Sequence, residues 1–109
     1  MAIKLQTLPA TGTLADLQTT IIQQEALGFE LITLARGLVS GAKSNTATFR
    51  NRAPGDAPGP LTLVEVSPEL GLPDQQTAAN NGETAGKLLI SYGAVLLRGN
   101  ETNVAAYRG

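Results

Sequence analysis

The chain contains no cysteine and no histidine. Lacking cysteine, it can form no disulfide and offers no thiol nucleophile. Lacking both, it has none of the usual ligands of zinc, copper, haem or iron–sulfur centres. The side chain best suited to proton transfer at neutral pH is also missing. Aromatics are scarce: Phe29, Phe49, Tyr92 and Tyr107 are the full set, so the core must be aliphatic. Eight basic and nine acidic residues leave a formal net charge of −1. That sets up no broad field to attract nucleic acid or anionic lipid. The longest nearly uncharged apolar run, Leu88–Leu97, is too short to span a bilayer and contains Ser91 and Gly93. The first ten residues hold one lysine and no apolar stretch of signal-peptide length. The expectation is a soluble, cytoplasmic protein with no membrane contact and no cofactor.

What is present is a repeat. When Ile3–Asn51 is laid on Leu61–Gly109 without gaps, more than a dozen pairs are identical, against roughly three or four expected by chance at average residue frequencies. They include Leu5/Leu63, Leu14/Leu72, Asp16/Asp74, Gln18/Gln76, Glu25/Glu83, Gly28/Gly86, Leu31/Leu89, Ile32/Ile90, Gly41/Gly99, Asn45/Asn103, Ala47/Ala105 and Arg50/Arg108. The chain therefore divides into a first repeat over 1–52, a linker over 53–60 and a second repeat over 61–109. The linker region, Arg52–Pro60, carries three prolines and two glycines, which regular elements exclude. A unit of about 50 residues buries too little surface to be stable alone. Two units sharing one core, in one compact domain of 109 residues, is the better physical solution.

Within the first unit, Ile3-Lys4-Leu5-Gln6 alternates with the period of a half-buried strand. Thr13 with Asp16 opens a helix as a relaxed capping pattern. Leu14, Leu17, Ile21 and Ile22 share one side of it, and Gly28 sits where a C-terminal glycine belongs. Phe29–Val39 reads as a central strand, Ser40–Ser44 as a turn and Asn45–Arg52 as a returning strand. The second unit repeats the order with a weaker helix: Leu17 becomes Gln75, Ile21 becomes Ala79 and Ile22 becomes Asn80. Two readings compete over Asn80–Leu97, since a new helix capped by Asn80 also fits the periodicity. The repeat register favours a strand. The expected fold is α+β: two βαββ repeats forming one mostly antiparallel six-stranded sheet, related by a pseudo-twofold axis, with both helices on one face. The less apolar second helix should be the more exposed one. Gly28, Gly86, Gly41 and Gly99 are read as positions needing positive φ.

The segment Glu25-Ala-Leu-Gly28-Phe29-Glu30-Leu31-Ile32 follows Leu14-Ala-Asp-Leu17 and precedes a strand ending Phe49-Arg50. This arrangement resembles a family of small uncharacterised bacterial βαββ domains. Those carry a helix, then Gly-Trp-Glu-Leu-Val, then a strand ending Phe-Lys-Arg. The resemblance covers residues 3–52 and, through the repeat, part of 61–109. It implies the fold, in tandem duplication, and no reaction. Phe29 stands where the family has Trp, and Lys87 takes that place in the second unit.

Chemical motifs are incomplete. Gly37-Leu-Val-Ser-Gly-Ala-Lys43-Ser44 approaches the phosphate-loop pattern, but Ala42 occupies the second glycine position. No helical period follows to hold an anion. The acidic pairs Asp16/Asp74 and Glu25/Glu83 fall at helix ends, where the dipole accounts for the two aspartates. No catalytic and no metal-binding residue is assigned, and the protein is read as a non-enzymatic structural or protein-interaction module. A protein partner or a second copy of the chain is the expected target, and nucleic acid is not. Contact is expected through Phe49-Arg50 and Tyr107-Arg108, with Lys43 nearby. The alternative is a small anionic ligand held between the repeats by Lys43, Arg50 and Arg108.

Overall fold

Each half folds as strand, helix, strand, strand. The computed structural model describes residues 2–53, 55 and 59–109. The first unit comprises β1 (Ile3–Leu8), α1 (Leu14–Ala26), β2 (Phe29–Val39) and β3 (Ala42–Asn51). The second comprises β4 (Leu61–Val66), α2 (Leu72–Thr84), β5 (Leu88–Leu97) and β6 (Asn100–Arg108). Residues in register thus occupy the same kind of element, and the stretch after Thr84 is strand rather than a second helix. Of the proline- and glycine-rich linker, Pro54, Asp56, Ala57 and Pro58 lie outside the described residues.

Local chemistry explains the shared pattern. In α1 the Thr13 hydroxyl accepts from the Asp16 N–H at 3.2 Å. The Asp16 carboxylate in turn accepts from the Thr13 N–H at 3.0 Å, closing a capping box. Gly28 and Gly86 follow the helices with φ of 98° and 88°, in the left-handed region where a Cβ is penalised. The two hairpins turn at Ser40-Gly41 and Arg98-Gly99, with φ of 52° and 79° in one and 52° and 80° in the other. Positive φ at both central residues marks the turn whose twist suits paired strands. Each long strand also carries a register shift at the same place, between Leu31 and Thr33 and between Leu89 and Ser91. The identical pairs Leu31/Leu89 and Ile32/Ile90 lie at this bulge. There the Glu25 carboxylate accepts from the Leu31 N–H at 2.9 Å and the Glu83 carboxylate from the Leu89 N–H at 2.8 Å.

The sheet differs from the expectation. Instead of one six-stranded sheet, the described residues form two three-stranded antiparallel sheets, ordered β1-β3-β2 and β4-β6-β5. Where β2 meets β5 the bridge runs through a side chain rather than a backbone ladder. The Ser91 hydroxyl accepts from the Leu34 N–H at 3.2 Å and donates to the Leu34 carbonyl at 3.4 Å.

Nor do the two units meet as equals. Each sheet has a front face, covered by its own helix, and a back face. Strand partners share a face. Leu31, Leu34, Ala47 and Phe49 therefore mark the first front, and Leu61, Leu63, Val104 and Ala106 the second back. These residues form one buried cluster, together with Leu17 and Ile21 of α1 and Val95 and Leu97 of β5. The front of the first unit is thus packed on the back of the second, and α1 contacts both β2 and β4. The front of the second unit has its own small cluster of Val66, Ala105 and Tyr107, packed against Ala78 and Leu89. The central strand β6 is consequently buried on both faces, whereas β3 is buried on one. For sheets stacked face to face, a pseudo-twofold axis would have required front against front or back against back. The helices also differ as their composition implies: α1 buries Leu17, Ile21 and Glu25, and α2 buries no residue.

Candidate functional site

The joint between the units rests on a few polar side chains around the shared core. Gln18, on α1, uses its side-chain amide as a strand would. Its Nε2 donates to the Leu61 carbonyl at 3.3 Å, and its Oε1 accepts from the Leu63 N–H at 3.2 Å. Two backbone groups on the outer edge of β4 are satisfied in this way without another strand. Asn45, fully buried on β3, does the same for β5: Leu96 donates its N–H to Oδ1 and receives a bond from Nδ2, both at 2.7 Å. Glu25 and Arg108 form a nearly buried, two-pronged ion pair at 3.0 and 2.5 Å, the strong geometry for a guanidinium on a carboxylate. The second hairpin donates its Arg98 and Gly99 N–H groups to the Gly12 and Ala10 carbonyls, each at 2.9 Å. An exposed pair, Arg36 with Glu101 at 2.7 Å, completes the seam.

Among the described residues, two exposed surfaces stand where the equivalent surface of the other unit is buried. The first is the back of the first sheet, where Ile3, Leu5, Thr7, Thr46 and Thr48 share a face. Leu5 is 67% exposed and Ile3 54%. The matching residues of the second unit, Leu63 and Leu61, are core. Strand β1 pairs only with β3, so its outer side presents alternate N–H and C=O groups with no strand partner. The second is the front of α2, where Leu72 is 79% exposed. There an apolar notch of about 230 Å³ is lined by Leu72, Gln75, Gln76, Ala79, Leu89 and Tyr92. The Tyr92 hydroxyl donates to Gln75 at 2.6 Å along this notch. Burial raises the Tyr92 hydroxyl pKa above its ordinary value. Tyr107, beneath α2, is also raised, first by burial and then by the negative charge of Glu83.

The sequence-derived contact residues are scattered by the fold. Phe49 and Tyr107, expected at the contact surface, are interior, in the two separate clusters. Tyr107 is held by a 2.9 Å bond from its hydroxyl to the Ala79 carbonyl. Arg108 is committed to Glu25 and to the Gly59 carbonyl. Lys43 and Arg50 alone of the five are exposed. Lys43 follows the first hairpin, and Arg50 pairs with Ile3 on the uncovered back face. The near phosphate-loop spans β2, a two-residue turn and β3, with no helix after Lys43. Between the units, where an anion was the alternative, the apolar cluster fills the centre. An open cleft of about 380 Å³ remains at the edge, lined by Ile22, Glu25, Ala26 and Arg52 on one side and Gly59, Pro60 and Leu61 on the other; Lys43, Arg50 and Arg108 do not line it.

Sequence reasoning missed Gln18, Leu61 and Leu63 as joint residues. The signal lay in the repeat itself, since Gln18/Gln76 and Leu5/Leu63 are identical pairs. No helix is long and apolar enough to cross a membrane among the described residues. No family model, curated protein or solved structure matches this chain.

Proposed function

We propose that the protein is a non-enzymatic interaction module whose contact surface is the uncovered back face of its first sheet. The observation that carries this is a difference between equivalent faces. The back of the second sheet is buried under the first unit through Leu61 and Leu63, while the same face of the first leaves Ile3 and Leu5 in solvent. Two exposed apolar side chains on an otherwise threonine-rich face, beside an open strand edge, form a surface suited to another protein. Arg50, at the end of that face, adds a positive charge for orientation.

A photo-crosslinking side chain placed at Leu5 in living cells tests the reading. An adduct with a protein is expected from that position, with none from the exposed Gln23 on α1. Absence of any adduct at position 5 overturns it.

A further inference from the structure

The joint inside the chain is directional, and its two halves are each present a second time. Of the side chains that make it, Gln18, Glu25 and Asn45 lie on the first unit and Arg108 on the second. Their counterparts in the other unit, Gln76, Glu83, Asn103 and Arg50, are the same residue types. None of the four counterparts reaches across the seam. Gln76 bonds Asn80 on its own helix, Asn103 bonds Gln75 at 3.4 Å, and Glu83 holds Leu89 within its own unit. Arg50 is exposed. The backbone parts recur too. The loop before each helix has the same 3.4 Å turn bond, Gly12 N–H to Pro9 and Leu70 N–H to Ser67. The two hairpins share their φ values. The notch on α2 is lined by Leu72, Gln75, Gln76, Ala79, Leu89 and Tyr92. These are the register partners of Leu14, Leu17, Gln18, Ile21, Leu31 and Leu34, of which all but the polar Gln18 belong to or pack on the joint's core.

The structure assigns this unpaired front and unpaired back to each other: the partner is a second copy of the chain, added head to tail. The front of the second unit seats on the back of another copy's first unit, repeating the internal joint. Gln76 then bonds the Ile3 carbonyl and Leu5 N–H on the open edge of β1. Glu83 pairs with Arg50, and Asn103 takes the backbone of Leu38. Ile3 and Leu5 enter beside the notch, as Leu61 and Leu63 enter beside α1. Thr46 and Thr48 stand where Val104 and Ala106 do, and Gln75 and Ala79 where Leu17 and Ile21 do. The contact between chains is therefore more polar, and weaker, than the one within. The Arg36–Glu101 pair has no counterpart, since those places hold Ala94 and Lys43. A contact joining unlike surfaces closes into a ring or runs on as a filament, according to the rotation per step.

This inference rests on the proposed function, and a mixing experiment separates the two. Leu5→Lys disables the back face and Leu72→Lys the front. Both residues are exposed, and circular dichroism checks that each variant folds. Sedimentation velocity over a hundredfold concentration range should show the native chain forming dimers or larger species and each variant alone remaining monomeric. An equimolar mixture of the two variants should stop at a dimer containing one of each, because only one competent front meets one competent back. A native chain that stays monomeric, association that survives either variant, or a mixture that fails to pair overturns the head-to-tail assembly. If the crosslink at position 5 forms in cells but its mass is not that of two chains, the assembly fails while the interaction surface stands. If no crosslink forms, both fail.

Discussion

Asn45 has no solvent exposure and spends its amide on both backbone groups of Leu96, whereas its partner in register, Asn103, is half-buried with one long bond. Removing a buried partner leaves the other group without water or protein to replace it. Asn45→Ala should therefore cost about 2–4 kcal/mol in urea unfolding and Asn103→Ala less than about 1 kcal/mol. Arg108 and Arg50 form a second such pair. Arg108→Ala strands the Glu25 carboxylate and should cost about 3 kcal/mol, while Arg50→Ala should leave the monomer's stability within about 0.5 kcal/mol. Gly82 supplies a test of opposite intuition. In an exposed helix, glycine to alanine gains about 1 kcal/mol. Here a Cβ would lie 2.1 Å from the Tyr107 ring, and that ring is pinned by the core and by Ala79. Gly82→Ala should thus lower the unfolding midpoint. A rise would show that α2 can lift from the sheet without loss.

At the scale of elements the two helices diverge from one plan. α1 has a capping box and contacts both β2 and β4; α2 begins at Leu72 after Gly71, which supplies no side-chain cap, and none of its residues is fully buried. Amide exchange should accordingly be faster in α2 than in α1, since opening α2 uncovers only the small Val66, Ala105 and Tyr107 cluster, whereas opening α1 breaks into the larger core shared by the two units. Its attachment is also sensitive to base. The Tyr107 hydroxyl pKa is raised in the fold, so the folded state holds its proton more tightly than the unfolded chain does. Stability is complete below the ordinary tyrosine value, about 10, and falls as pH climbs beyond it. Alkaline unfolding followed by tyrosine absorbance should begin there, and Tyr107→Phe should flatten that limb despite losing the Ala79 bond. The elements themselves were legible in the sequence, because capping, glycine placement and strand period are local signals. Thr13 with Asp16 and the paired glycines carried them. Asn80–Leu97 was ambiguous since Ala85, Leu88, Leu89 and Tyr92 satisfy two periods. Only the register with Leu31 and Ile32 told strand from helix.

At the scale of the molecule, the repeat showed that two like units exist, yet it was silent on how they pack. Identity between halves suggests symmetry, and symmetry suggests a twofold. The actual choice was made by features that sequence spacing does not display. Val104 and Ala106 make the second back face apolar where Thr46 and Thr48 keep the first polar, so only one back could be buried within the chain. The candidate surface was visible in part through Arg50. Phe49 and Tyr107 were hidden by the same strand alternation that placed Arg50 and Arg108 on the opposite side. Gln18 escaped notice because a surface glutamine carries no chemical signature until an open strand edge is set beside it.

An arrangement of front on back gives the chain a sense of direction. A molecule built with a twofold presents the same aspect whichever way it is approached, but this one has a leading end and a trailing end. Anything it binds at the exposed β1 edge is held in a fixed orientation relative to α2, some distance across a disc 41 Å wide and 21 Å thick. A row of such particles joined front to back would therefore all point the same way.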